Sequence, residues 1–168
     1  MTPLLFFYFA GIIVVTSVLV IGLRNPVYSA IALLVMFFHV AGLYVLLNAE
    51  FIAVIQIIVY AGAILVLYLF VVMLLNVRRE ERYQHQFLLG LFVGLLILTE
   101  VVLILMRSTF SEKTGEYTVE RIHAVGSTQA VGQVLYTTYL FPFEIASFIL
   151  LVAMIGAIVL AKKGIMEK

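Results

Sequence analysis

Few side chains in this sequence could do chemistry, and most of them lie inside long apolar runs: His39, Gln56, Tyr60, Tyr68, Glu100 and Glu144. Glutamate and histidine exchange protons, while glutamine and tyrosine hold water or a neighbouring group by hydrogen bonds. An ionisable group inside a membrane is a functional hypothesis by default, as a member of a proton or ion path. Other chemistries are missing. There is no cysteine, which removes disulfides, iron–sulfur ligation and thiol catalysis. Of the three histidines only His39 sits within an apolar run, so a bis-histidine haem has no ligand pair. No glycine-rich phosphate loop or dinucleotide fingerprint occurs, and no basic run with interleaved aromatics suggests nucleic acid. No apolar run carries an interior Lys or Arg. A pump that works alone needs a relay of several buried ionisable groups, and this chain has too few. No catalytic residue, bound cofactor or metal site is expected in the chain itself.

Each polar residue has a structural reading beside the functional one. Gln56 and Tyr60 are four apart and stack on one face of a helix, with Tyr68 rotated off that face. Between them and Tyr68 lies Ala61-Gly62-Ala63. This is either a small-residue patch that lets a neighbouring helix approach, or a weak point where the helix departs from α geometry. The spacing alone favours the former. Glu100 is a relay member or a carboxyl hydrogen-bonded at a subunit interface. For His39 the expectation is packing and a hydrogen bond across helices. Glu144 falls in the first turn of the last span, where the helix dipole favours a carboxylate by ~0.3–1 kcal/mol. Glu50 has the same explanation, with Asn48 as the expected cap.

The elements that must position these groups are membrane helices. Hydrophobic residues make up 65% of the 168-residue chain and charged residues 11%, with mean hydropathy +1.22. A soluble domain is roughly half apolar and roughly a quarter charged. Five runs reach the roughly 20 residues needed to cross the hydrocarbon: about 4–23, 27–47, 51–77, 87–106 and 143–161. They do not alternate as barrel strands would, so they are helices. The expectation is an all-α integral membrane protein of one domain, residues 1–168, with a polar outer loop over 107–127. A surface helix over about 129–139 follows, and Pro142 begins the last span. Gly90 and Gly94, and Ala153, Ala157 and Ala161, read as packing faces.

Arg24, Arg78, Arg79, Arg82, Lys162, Lys163 and Lys168 fall on one side of these spans, against Arg107, Lys113 and Arg121 on the other. The positive-inside rule then places the C-terminus in the cytoplasm and the N-terminus outside.

The run Gln56-Ile57-Ile58-Val59-Tyr60-Ala61-Gly62-Ala63-Ile64, with Val66 to Leu74 after it, closely resembles the J subunit (chain 6 in mitochondria) of NADH-quinone oxidoreductase, respiratory complex I. Asn25-Pro26-Val27 is similar to that family's first loop. Gly132, Leu135-Tyr136, Tyr139 and Phe143-Glu144-Ile145-Ala146-Ser147 are similar to its approach to the last helix. The resemblance spans essentially the whole chain. It implies a non-redox membrane-arm subunit of a proton-translocating enzyme that uses FMN, iron–sulfur clusters, NADH and quinone. Its implied partners are the quinone-site subunit, the small A and K subunits and the antiporter-like subunits. It also implies a π-bulge near Tyr60 and Gly62, in a third helix that switches and gates a proton path, with Gln56 as a polar neighbour. Some relatives carry a carboxylate where this chain has Gln56, which can only orient water. Glu100 and His39 match no family motif. The short hydrophilic loops point to a bacterial inner (plasma) membrane. The alternatives are the equivalent subunit of a related cation/proton antiporter or membrane-bound hydrogenase, or a small stand-alone transporter.

Overall fold

A computed structural model describes residues 2–75, 87–107 and 118–162. Eight α-helices and one π-helical segment account for nearly all of them: α1 (Thr2–Gly22), α2 (Pro26–Leu46), α3 (Glu50–Ile55), the π segment (Gln56–Ile64), α4 (Leu65–Leu74), α5 (Phe87–Arg107), α6 (Val119–Val125), α7 (Ser127–Tyr136) and α8 (Leu140–Ala161). The third run is thus one continuous helix, Glu50–Leu74, built as α3, π segment and α4. Together with α1, α2, α5 and α8 it makes five helices long and apolar enough to cross a membrane. The last residues assigned to the third span, Asn76 and Val77, lie outside the described residues. So do Arg78, Arg79, Arg82, Lys113, Lys163 and Lys168 of the charge count, and much of the 107–127 loop.

Local chemistry sets the turns. Asn25 caps α2, its side-chain Oδ1 accepting from the Val27 N–H at 2.9 Å, with Pro26 in the first helical position. That position suits proline, because its missing N–H would have had no helical partner. The far end of α2 closes on Asn48 in the left-handed region, φ 57°. The Asn48 N–H donates to the Val45 carbonyl at 3.0 Å and the Ala49 N–H to the Tyr44 carbonyl at 2.9 Å. This pair of bonds is a Schellman motif, for which asparagine is a tolerated substitute for glycine. Asn48 therefore ends α2 and does not cap α3, contrary to the expectation. The residue before α3 is Ala49, which offers no side-chain cap.

α2 is the hub. It packs against α1, α3, the π segment and α4, and its buried residues are all alanine: Ala30, Ala32 and Ala41. Small side chains let helix backbones approach closely where lipid supplies no hydrophobic drive. Gly42 does the same for an aromatic ring, since a Cβ there would lie 2.5 Å from Cε1 of Phe9 on α1. Hydroxyls at this interface are satisfied locally. Thr16 donates to Ile12 O at 2.7 Å, Ser17 to Ile13 O at 2.6 Å, and Ser29 reaches back to Val20 O at 2.7 Å.

The remaining spans stand apart. Among the described residues α5 touches no other helix, and α8 touches only α7. Among the described residues nothing outside the helix lies within 4 Å of a Cβ placed on Gly90 or Gly94, so that small-residue face is not packed against the other described helices. The start of α8 also differs from expectation. It begins at Leu140, with Phe141 helical and Pro142 third in the helix. Proline is tolerated there because the first-turn N–H groups have no helical partner anyway. The polar stretch before it is partly helical, with α6 inside the expected loop and α7 beginning at Ser127.

Candidate functional site

The π segment is the one described stretch of a span that leaves α geometry, and three of the residues singled out by type lie in it: Gln56, Tyr60 and Gly62. Its winding is visible at its end, where the Leu65 N–H donates to the Tyr60 carbonyl, five residues back. An α-helix would use the fourth. The pattern of burial records the same extra residue. Across α3, the π segment and α4 the buried positions are Ala53, Gln56, Ala61 and Leu65, with steps of three, five and four. A continuous α-helix steps by three or four along one face, so Tyr60 would follow Gln56. The five-step places Ala61 there instead.

Gln56 is only 8% exposed, yet its amide bonds to no described residue. No fully covered side-chain nitrogen or oxygen lacks a partner among the described residues, so part of this amide is accessible at the surface of the described chain. Tyr60 sits at the margin of the buried face, 47% exposed. Its ring meets Phe37 of α2 edge-on, centroids 6.0 Å apart. Gly62 is exposed, and a Cβ there would find only its own helix, at 3.3 Å from the Ile57 carbonyl oxygen. The approach of a neighbouring helix from this chain is therefore made at Ala61, 3% exposed, and not at Gly62.

The other candidates are not gathered here. Tyr68 lies in α4, half exposed. His39 is on α2, two residues from Phe37. Its Nδ1 lies 2.7 Å from the Val35 carbonyl of its own helix, and its ring packs near Tyr8 and Phe9 at about 6 Å. Glu100 is exposed on α5, while its neighbour Thr99 spends its hydroxyl on the Leu95 carbonyl at 2.7 Å. Glu144 falls beyond the first turn of α8, because that helix starts at Leu140. This corrects the dipole explanation, since the effect fades after one turn. Sequence reasoning missed Phe37 and Ser127. Phe37 is one aromatic among many in an apolar span. Ser127 accepts a hydrogen bond from the Phe51 N–H at 3.0 Å, a contact between segments far apart in sequence that no local pattern announces.

Residues 16–160 match the family model described as NADH-ubiquinone/plastoquinone oxidoreductase chain 6. The chain is 41% identical to NADH-ubiquinone oxidoreductase chain 6 of Marchantia polymorpha, over 94% of this chain and 85% of that one. It is 39% identical to the chain 6 of Cyanidium caldarium, over 93% and 82% respectively. It is 36% identical to NADH-quinone oxidoreductase subunit J of Rickettsia bellii, over 94% and 79%. With five candidate spans and a match along nearly its whole length, the chain belongs to the subunit J/chain 6 family of NADH-quinone oxidoreductase, and so is a multi-pass membrane subunit of that proton-translocating enzyme, complex I.

Proposed function

We propose that this subunit couples quinone reduction to proton translocation through its third span, whose π segment switches to α geometry and back. The observation that carries the reading is the five-residue step from Gln56 to Ala61 on the face packed against α2. Removing that step turns one half of the helix relative to the other by about 100° and shifts it by about 1.5 Å. Tyr60 and Ile64 then replace Ala61 and Leu65 on the packed face. The ring of Tyr60 leaves Phe37, and the space beside the Gln56 amide changes shape. A largely buried glutamine whose amide keeps an accessible edge can hold a bridging water. Gln56 orients such a water, Tyr60 and Gly62 form the moving part, and Tyr68 follows as α4 turns.

In this reading the N-terminus is outside and the C-terminus cytoplasmic, in a bacterial inner membrane. The partners are the quinone-site subunit, the A and K subunits and the antiporter-like subunits. FMN and the iron–sulfur clusters reside in other subunits. A partner also covers Glu100. Glu100 lies towards the outer end of α5, where a carboxylate costs less than the ~2.5–3.5 kcal/mol of Asp at a helix centre on the insertion scale, and no other described helix packs on α5 to offset that cost.

Gly62→Leu in the intact enzyme tests the switch. Its added carbons crowd the Ile57 carbonyl and load the segment with bulk. Proton translocation linked to quinone reduction should fall, while NADH oxidation with an artificial acceptor continues. Normal coupled pumping in this variant contradicts the proposal.

A further inference from the structure

We propose that Ser127 is a positioning residue for the π segment: it caps α3 from a distant part of the chain and thereby ties the segment to the surface helix α7. The inference rests on the switching role proposed above for that segment.

The first turn of any helix has N–H groups without helical partners, and the side chain just before it normally takes the N–H of the second or third residue. α3 cannot do this for itself. Ala49 has no side-chain acceptor, and Asn48 is committed to the left-handed turn that closes α2. The second residue of α3 is Phe51, and its N–H donates to the Ser127 Oγ at 3.0 Å, across 76 residues of sequence. Ser127 is itself held in place as the first residue of α7. Gly126 turns the chain into that helix at φ 88°, and the Ala130 N–H donates to the Gly126 carbonyl at 3.0 Å. Below the cap, Ile52 of α3 shares one apolar cleft with Ala130, Val131 and Val134 of α7. The two helices are therefore neighbours joined by a polar pin beside a shared apolar cleft.

The pin is close to the switch. α3 has six residues, so only about 9 Å of α-helix separates Glu50 from the π segment. Exchange between π and α geometry requires one end of the span to turn against the other. A cap held by another helix fixes this end of the span, so that the turning falls to the α4 half. A displacement of α7 reaches the π segment by the same bond.

The test uses the intact enzyme in its native membrane with Ser127→Ala and Ser127→Thr. Two quantities are read: the proton-to-electron ratio with quinone, and hydrogen exchange of the amides of residues 50–64. Loss of the hydroxyl should speed exchange there about fivefold, the change equivalent to a cap of about 1 kcal/mol. The proton-to-electron ratio should drop. Threonine, which keeps the acceptor, should restore both. If the alanine variant fails to assemble, Ser127→Cys, with only a weak sulfur acceptor, should move both readouts the same way to a smaller extent. Wild-type exchange and coupling in the alanine variant overturn the proposal, as does threonine failing to restore them. If Gly62→Leu lowers coupling while Ser127→Ala does not, the switch stands and the role of Ser127 falls. If Gly62→Leu leaves coupling normal, the switch reading fails and the positioning role fails with it, whatever the exchange data show for the cap.

Discussion

Gln56 and Ala61 lie five residues apart and share the buried face of the third span, the spacing of a π turn. The face works because Ala61 is small. Ala61→Leu should overpack the contact with α2 at a cost of about 1–3 kcal/mol, whereas Ala61→Gly should be mild. The measure is the temperature at which quinone-linked activity is lost in isolated membranes, expected to be several degrees lower for leucine only.

The edge-on contact of Tyr60 with Phe37 should be worth about 0.5–1.5 kcal/mol. Tyr60→Leu and Phe37→Leu should each weaken coupled pumping, and the double variant should be little worse than the more damaging single one. A double-mutant cycle on the proton-to-electron ratio checks this. Strictly additive losses would mean that the two rings do not act together.

Gly42 makes room for Phe9 between α1 and α2. Gly42→Val should reduce the amount of subunit held in the assembled enzyme, and Phe9→Leu in the same chain should recover part of the loss. Quantifying the subunit in native gels of solubilised membranes decides it. Unchanged incorporation of Gly42→Val would show that the ring moves aside freely.

Glu100 has no neighbour from this chain among the described helices. If a partner helix bonds it, Glu100→Gln should keep the enzyme assembled and Glu100→Lys should break assembly, because a cation meets donors instead of an acceptor. If instead Glu100 carries protons, Glu100→Gln should assemble yet lose pumping. The same native-gel and pumping measurements separate the two.

The spans were legible because lipid leaves a chain only two solutions, and roughly 20 apolar residues without alternation select the helix. The break at Arg24-Asn25-Pro26 was legible as the end of an apolar run, while the capping of α2 by Asn25 emerged only from the structure. The π segment was not. Its small residues Ala61-Gly62-Ala63 allowed either a packing patch or a departure from α geometry; spacing favoured the patch, and the family resemblance pointed to the π-bulge. Its packing against α2 is a contact that local spacing does not encode. Asn48 was misassigned because asparagine serves equally at the start of one helix and the end of another, and the bonds of Ala49 and Asn48 decide between them. Glu144 was placed by assuming that Pro142 opens its helix. Two further residues before the proline are helical, which moves the carboxyl out of the first turn.

The most direct test of the switch is to delete Ile58, an exposed residue of the π segment. One residue fewer puts Ala61 four positions after Gln56, so the buried face is kept and an α-helix can run through without a π turn. The measurement is the proton-to-electron ratio of the intact enzyme carrying this deletion. The account predicts an assembled enzyme that oxidises NADH with an artificial acceptor but translocates few protons per electron to quinone. A wild-type ratio would show that the π turn is dispensable and would contradict the account.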